Sequence, residues 1–385
     1  MSTAVIVDAL RTPSGRGKPG GALSGEHPVD LLGTVLATLI ARNDLDPALV
    51  DDVIAGCVTQ SGEQSVNIAR SAALAAGFPL SVPGTTIDRQ CGSSQQAAAF
   101  AAQGVVAGAY DVVIACGVGL MSKNPINSAT LGLDNWGPMV RSRFPDGLVG
   151  QGISAELIAA RWNLSRAALD EFAARSHRLA AAASFEAEII PVGEFEADET
   201  IRPGTTAEGL ASLKPAFEDE ALGRRFPEID WRITAGNSSP LTDGASAVLI
   251  MSEDRANHLG LRPRARFHSS VVVGSDPIEM LTGIIPATHK ILDRSGFSID
   301  DFDTVEINEA FASVPLAWQH EFEIDHNRLN PRGGAIALGH ALGSSGTRIL
   351  TSMVNQLEQS GGRFGLQVMC EGAGMANATI IERLR

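Results

Sequence analysis

Three stretches in the N-terminal part of this 385-residue chain reappear in the same order in its C-terminal part, and that duplication constrains the fold more than any other feature. Residues 45–60 resemble residues 297–312, each a helical pattern running into a strand. Residues 87–94 and 335–344 each take an apolar strand into a Gly/Ser turn and then a helix, which puts Cys91 and His340 at similar points. Residues 111–119 and 366–374 are each a strand entering a glycine-rich turn, with Cys116 in one and Cys370 in the other. Two such units packed together bring equivalent turns to one shared face.

Within each unit, Val/Ile runs alternate with alanine-rich helical stretches, the pattern of an α/β protein whose sheets are covered on both faces. Residues 4–7, 52–56 and 112–117 predict strands, and residues 28–41 and 94–107 predict helices. The long apolar stretch 97–121 is interrupted by Gln103, Gly104, Gly108, Tyr110 and Asp111, so it reads as helix then buried strand rather than a membrane span. A segment of different texture, rich in charge and loop residues, interrupts the first unit. In its helical stretch 165–187, Arg166, Asp170, Glu171 and Arg175 are expected to form a solvated face. The chain divides accordingly into an N-terminal half (1–119 and 232–262), an inserted loop domain (120–231) and a C-terminal half (263–385).

A net charge of −14 argues against general nucleic-acid binding, which needs a broad cationic surface. With only four lysines (Lys18, Lys123, Lys214 and Lys290), recognition of phosphate must rest mostly on arginine and backbone N–H groups. Four scattered cysteines (Cys57, Cys91, Cys116 and Cys370) suit neither a disulfide framework nor a zinc site, and no metal is expected. The opening residues read as a strand without a leader pattern, so the expected setting is cytoplasmic.

Four motifs carry candidate chemistry. In Asp88-Arg-Gln-Cys91-Gly-Ser-Ser, a cysteine stands where a strand ends and a helix opens, a position expected to expose the sulfur and lower its pKa. An inert core cysteine is the equal alternative on this motif alone. Gly333-Gly-Ala-Ile-Ala-Leu-Gly-His340 sets a histidine in a turn dense in glycine, as a proton acceptor for Cys91 or as a structural residue. Glu306-Ile-Asn308-Glu309 ends a strand on polar groups, with Asn308 either holding a water in an oxyanion hole or capping a helix. Met369-Cys370-Glu-Gly372-Ala-Gly374 places a second cysteine before glycines that can crowd a substrate.

In this order and along nearly the whole chain, the four motifs resemble the thiolase family, with support from Val5-Ile-Val-Asp-Ala-Leu-Arg11-Thr-Pro and Thr234-Ala-Gly-Asn-Ser-Ser239. The resemblance implies duplicated βαβαβαββ halves in a layered α-β-α-β-α core with an inserted loop domain. It implies thiolytic cleavage of a 3-oxoacyl-CoA to acetyl-CoA and a shortened acyl-CoA, with coenzyme A as co-substrate. Cys91 would form the acyl-enzyme and Cys370 would move the substrate proton. His340 and Asn308 would shape one oxyanion hole, and the N–H groups of Cys91 and Gly372 the other. Ser239 matches a position beside the pantetheine arm, and Phe311 and Met280 match the acyl pocket. The phrases around Cys91, Asn308 and Cys370 are most similar to thiolases of steroid or other bulky acyl-CoA degradation. A homodimer or homotetramer is implied as well.

Departures from the family pattern are Ala341 in place of proline, Ala373 in the glycine run, Gly119 in place of glutamate, and Gly150-Gln151 in place of a His-Met pair at the pocket mouth. Arg224 and Arg225 lie in an extended segment before the CoA turn, where they meet CoA phosphates or form an exposed surface pair. Two other readings are a β-ketoacyl synthase, which lacks a second catalytic cysteine, and a non-catalytic subunit that binds acyl-CoA.

Overall fold

The computed structural model describes residues 2–384. Its strands are β1 (Ala4–Arg11), β2 (Gly15–Arg16), β3 (Asp52–Gly56), β4 (Thr85–Ile87), β5 (Val112–Leu120), β6 (Thr242–Ser252), β7 (Ala265–Gly274), β8 (Thr304–Ile307), β9 (Phe364–Glu371) and β10 (Met375–Arg383). They run in the order β4-β3-β5-β6-β1-β7-β10-β9-β8, with β2 on the flank of β6. The two halves meet where β1 pairs β7 over only two residues, Val5 with Arg266 and Ile6 with Ala265. On each side of that junction the plan is the same. β3 is parallel to β5, and β5 antiparallel to β6; likewise β8 is parallel to β9, and β9 antiparallel to β10. Where β4 pairs β3 in the first half, the second has only a single parallel bridge, Val305 to Leu329.

Side-chain alternation along the strands builds the layers. Val5 and Val7 face an outer core with Leu32, Val35, Leu36 and Leu39 of helix Pro28–Arg42, whereas Ala4 and Ile6 face a central core with Ala97, Ala101, Leu350 and Met353. That central layer is helix Ser93–Ala107 lying against helix Ser345–Ser360. Its richness in alanine has a steric cause: a Cβ on Gly346 would stand 2.1 Å from the Gln95 nitrogen. The outer layer of the second half, which includes helices Ile284–Ser295 and Ser313–Phe322, packs through Leu281, Ile284, Ile291 and Trp318.

Two local expectations are corrected. Residues Ala335–Leu338 form one helical turn rather than a strand, because Glu309 accepts from the Ile336 N–H at 3.1 Å and draws the chain inward. Asp170 and Arg175 of helix Arg166–Ala182 are buried, not solvated. Asp170 accepts from Arg166 and from Asn237 at 2.7 and 2.9 Å, and Arg175 donates to the carbonyls of His326 and Leu329 at 2.6 and 3.1 Å. These bonds fasten the 120–231 segment to the second half and to the turn that carries Ser239. A further clasp runs from Arg11 to Glu188 and Asp198, both at 2.7 Å, where burial of complete ion pairs costs less than burial of either partner alone.

Candidate active site

The turn before helix Ser93–Ala107 is built by local hydrogen bonds. Asp88 Oδ1 accepts from the Gln90 N–H at 2.6 Å, and Ser93 Oγ donates to the Gln90 carbonyl at 2.6 Å. Gln90 is held at φ 48°, a left-handed conformation that turns the next residue inward. Cys91 is therefore only 2% exposed, packed against Ile349, Met369 and Leu342. This corrects the expectation of an exposed sulfur with a lowered pKa. Burial pushes the Cys91 thiol up to about 12, the charge of Glu371 adds to it, and the Gln151 amide with the N–H groups of Cys91 and Gly372 only partly offsets the rise.

Opposite this turn, β9 and β10 are joined by Gly372, Ala373 and Gly374. Cys370 is buried at the end of β9, its thiol pKa raised by burial first and by Cys91 next, with the Asn308 side chain acting against the rise. The two cysteines and Asn308 thus share one buried centre. The Asn308 N–H donates to the Val368 carbonyl at 3.1 Å, while its side-chain amide approaches the Cys370 thiol without a well-formed hydrogen bond to any described residue. Because the following helix begins only at Ser313, the helix-cap alternative falls away. Glu309, next in the chain, has its two oxygens taken by Ser176 (2.6 Å), Asn330 (2.8 Å) and the Ile336 N–H, so it serves the scaffold.

His340 is held from two sides. Its N–H donates to Thr242 Oγ1 at 2.9 Å, and its Nδ1 lies 2.7 Å from Ser345 Oγ. Ser345 gives its own hydroxyl proton to the Ala341 carbonyl at 2.9 Å, so it accepts from Nδ1–H, and the lone pair is left on Nε2. That Nε2 is buried and has no partner among the described residues. Burial, reinforced by the Arg348 charge, pushes His340 down to about 3, so the ring is neutral. Leu342, two residues on, packs against Cys91. The glycines of this turn answer a close approach: a Cβ on Gly343 would stand 2.2 Å from the Val118 carbonyl oxygen of β5, in the other half.

The remaining candidates lie around this centre. Gln151, at the start of helix Gln151–Arg161, is half-buried, with its amide 3.5 Å from where a Cβ on Gly372 would stand and close enough to act on the Cys91 thiol. Phe311 and Met280 lie in the core of the second half, with Phe311 edge-on to Phe217 at 5.8 Å. Ser239 is half-buried and donates to the Ala310 carbonyl at 3.1 Å. Arg224 is exposed and paired with Glu220, and Arg225 is half-buried and donates to the Asp146 carbonyl at 2.6 Å. Sequence reasoning missed Ser345, whose signal is its place in the first turn of a helix five residues after His340, and Glu371, a lone carboxyl in an apolar strand. Both Glu371 oxygens are buried without a partner among the described residues, and burial pushes this acid up to about 8. Among those residues there is no cluster of three or more His, Cys, Asp or Glu able to hold a metal, and no helix long and apolar enough to cross a membrane.

A duplicated α/β body that buries two cysteines with an asparagine beside them, and a neutral histidine in a turn whose Leu342 packs on Cys91, fits the class of acyltransferases that work through cysteine. The comparisons make the assignment specific. Residues 4–254 match the thiolase N-terminal domain and residues 261–383 the thiolase C-terminal domain. The chain is 49% identical to a steroid 3-ketoacyl-CoA thiolase, FadA6, of Mycobacterium tuberculosis, over 100% of this chain and 95% of the relative. It is 43% identical to a 3-ketoacyl-CoA thiolase of Vibrio cholerae, over 100% of both chains. The crystal structure of the Bacillus anthracis acetyl-CoA acetyltransferase superposes with a TM-score of 0.89 at 38% identity, covering 100% of this chain and 99% of that one. The chain belongs to the thiolase family, and its activity is thiolytic acyl transfer.

Proposed function

We propose that this thiolase cleaves 3-oxoacyl-CoA thioesters with a bulky acyl part, using coenzyme A as the second substrate and Cys91 as the nucleophile. The observation that carries the reading is the burial of Cys91 and Cys370 against each other, with Asn308 beside Cys370. Substrate size rests on the 49% identical relative, named for steroid thioesters.

In the first half-reaction the Cys91 sulfur attacks the keto carbon as its proton passes to His340 Nε2. The bond between C2 and C3 breaks, and Cys370 gives its proton to the acetyl-CoA enolate. In the second, Cys370 takes the proton of the incoming CoA thiol, whose sulfur attacks the acyl-cysteine. Shortened acyl-CoA leaves, and His340 returns the proton to Cys91. A thiol near pKa 12 and an imidazole near 3 do not form an ion pair in the free enzyme, so proton transfer is coupled to attack. Oxyanion stabilisation then matters most, typically about 3–4 kcal/mol per donor. Gly372 and Cys91 supply backbone N–H groups for one oxyanion, and His340 with a water on Asn308 serves the other.

Ser239 lies beside the pantetheine arm and the 120–231 loop domain covers the acyl part over Met280 and Phe311, with Gln151 at the reacting sulfur. The enzyme works as a cytoplasmic homo-oligomer of two or four subunits. The test is incubation with CoA and a panel from acetoacetyl-CoA to ring-bearing 3-oxoacyl-CoA, alongside Cys91→Ala. Cys91-dependent release of acetyl-CoA, fastest with the bulky thioesters, is expected. Tight acyl-CoA binding without release would instead favour a non-catalytic binding subunit.

A further inference from the structure

The extended segment that precedes the Ser239 turn takes no part in the chemistry described above, yet the fold fixes it closely. It opens with a short helix, Glu220–Arg225, capped by Asp219, whose side chain accepts from the Leu222 N–H at 2.9 Å. Two anchors then tie it to helix Gln151–Arg161. Ile229 is buried against Ile153 and Leu157 of that helix, and the buried Glu156 accepts from the N–H groups of Arg232 and Ile233, both at 2.8 Å. Between the anchors Trp231 is held at φ 53°, a left-handed conformation that is unfavourable for a bulky side chain. Such strain persists only where the surroundings impose it, and it collects where function needs a side chain aimed. The indole is half-buried and lies over Gly223, where a Cβ would stand 3.4 Å from Trp231 Cζ2. Half-buried Leu222 and Phe226 pack on the same trio of Ile153, Leu157 and Ile229, while Glu220, Arg224, Glu228 and Asp230 are exposed. Val149 and Phe217 also pack on that trio, and both pack as well on the core that holds Met280 and Phe311. One apolar surface therefore runs from the acyl-pocket candidates, past the start of the helix whose Gln151 acts on the Cys91 thiol, to the rings of Phe226 and Trp231.

We propose that this strap sets substrate specificity: Trp231 and Phe226 form the outer wall of the acyl pocket, and the bulky apolar part of the thioester packs against their rings. The inference rests on the reading of a bulky acyl part given above. Two stiff aromatic faces suit a ring-bearing or branched hydrocarbon, because they offer broad apolar contact with few rotors to immobilise. An acetoacetyl group is too short to use that contact.

The test measures kcat and KM for the full chain, Trp231→Ala and Trp231→Phe, each with acetoacetyl-CoA and with a ring-bearing 3-oxoacyl-CoA. Trp231→Ala should raise KM for the ring-bearing thioester by roughly 10-fold or more with kcat within about twofold, the pattern of lost apolar binding. Both constants for acetoacetyl-CoA should stay within about twofold, and Trp231→Phe should recover most of the lost KM. If Trp231→Ala does not fold, Phe226→Ala reads the same wall with the same split between substrates. A chain that itself favours acetoacetyl-CoA would remove the bulky-substrate reading and the wall with it. A chain that favours the ring-bearing thioester, but whose variant changes neither KM or raises both alike, would overturn the wall alone and leave Trp231 a structural residue.

Discussion

The connection from β5 to β6 and that from β9 to β10 occupy the same place in the two halves, yet one spans residues 121–241 and the other only Gly372, Ala373 and Gly374. Both reach the same centre. The short hairpin and the long connection each act on the Cys91 thiol, through the Gly372 N–H and the Gln151 amide, and that amide lies 3.5 Å from where a Cβ on Gly372 would stand. Duplication supplied two equivalent exits from the sheet. What differs is that the short exit sets a backbone donor with little freedom, whereas the long one adds a covering layer of helices. The paired cysteines diverge in the same way. Cys116 points from mid-β5 into the outer core among Val118 and Leu249, while Cys370 stands at the end of β9 beside Cys91 and Asn308.

The largest effect that tests this contrast is replacement of each cysteine by alanine. Cys370→Ala should lower kcat by about 10²–10⁴-fold, the usual worth of a positioned acid or base. Cys116→Ala should leave kcat within about twofold and cost no more than about 1 kcal/mol of stability. Steady-state thiolysis and denaturant unfolding of both variants measure this, and equal losses would show that the two halves share the chemistry.

His340 offers the next test, because its counterpart in the first half is Cys91, the proposed nucleophile. Ser345→Ala removes the acceptor at Nδ1 and frees the ring to take the other tautomer, so kcat should fall by about 10-fold or more while the fold is kept. The ¹⁵N shifts of the His340 ring report the tautomer directly. An unchanged tautomer with lost activity would place Ser345 in another role.

Much of this was legible in the residues, and the exceptions have physical causes. Helix Ser93–Ala107 of the central layer and the strands β1, β3 and β5 follow from residue pattern, since two covered faces leave a plain apolar run in a strand. The identities of Cys91, Asn308, His340 and Cys370 as a set came from spacing and resemblance. Burial of Cys91 was not legible, because the turn that looks exposed in one half is covered by Leu342 and Met369 from the other. The buried Asp170 and Arg175 misled for a similar reason: a charged helical face reads as solvated unless its partners, Asn237 and Leu329, are known from tertiary structure. Glu371 gave no signal beyond its polarity, since it is buried under the distant Gly92 turn, where an added Cβ would lie 2.0 Å from Glu371 Oε1.

Glu371 makes the third prediction, smaller and dependent on pH. It is faced by Asp88, Arg89 and Cys91 on the nucleophile turn and by Asn377 on β10. Its pKa rises from 4.5 unfolded to about 8 folded, so the stability it contributes is full below 4.5 and is lost as pH rises through about 8. It is over this same upper range that the Glu371 charge which helps hold the Cys91 thiol up develops. Thiolysis should therefore decline above pH 8 by at least about twofold, and Glu371→Gln should flatten that limb and hold its thermal midpoint at pH 9. A limb that persists in the variant belongs to another group.

The smallest effect tests how tightly the short hairpin is set. Ala373 is exposed and held at φ 64°, where an L side chain costs roughly 1–2 kcal/mol. Glycine relieves that strain but gives back part of the gain through the greater freedom of the unfolded chain, roughly 0.5–1 kcal/mol. Ala373→Gly should then be more stable by about 0.5–1 kcal/mol, read from the denaturant midpoint at constant slope. Its effect on thiolysis separates two roles for the strain. If Ala373 merely tolerates the turn, kcat stays unchanged, because neighbouring Gly372 is fixed by the pairing of Glu371 with Met375. If the alanine limits the freedom of the hairpin, the more stable variant is the slower one, because a looser Gly372 N–H meets the proposed oxyanion less often.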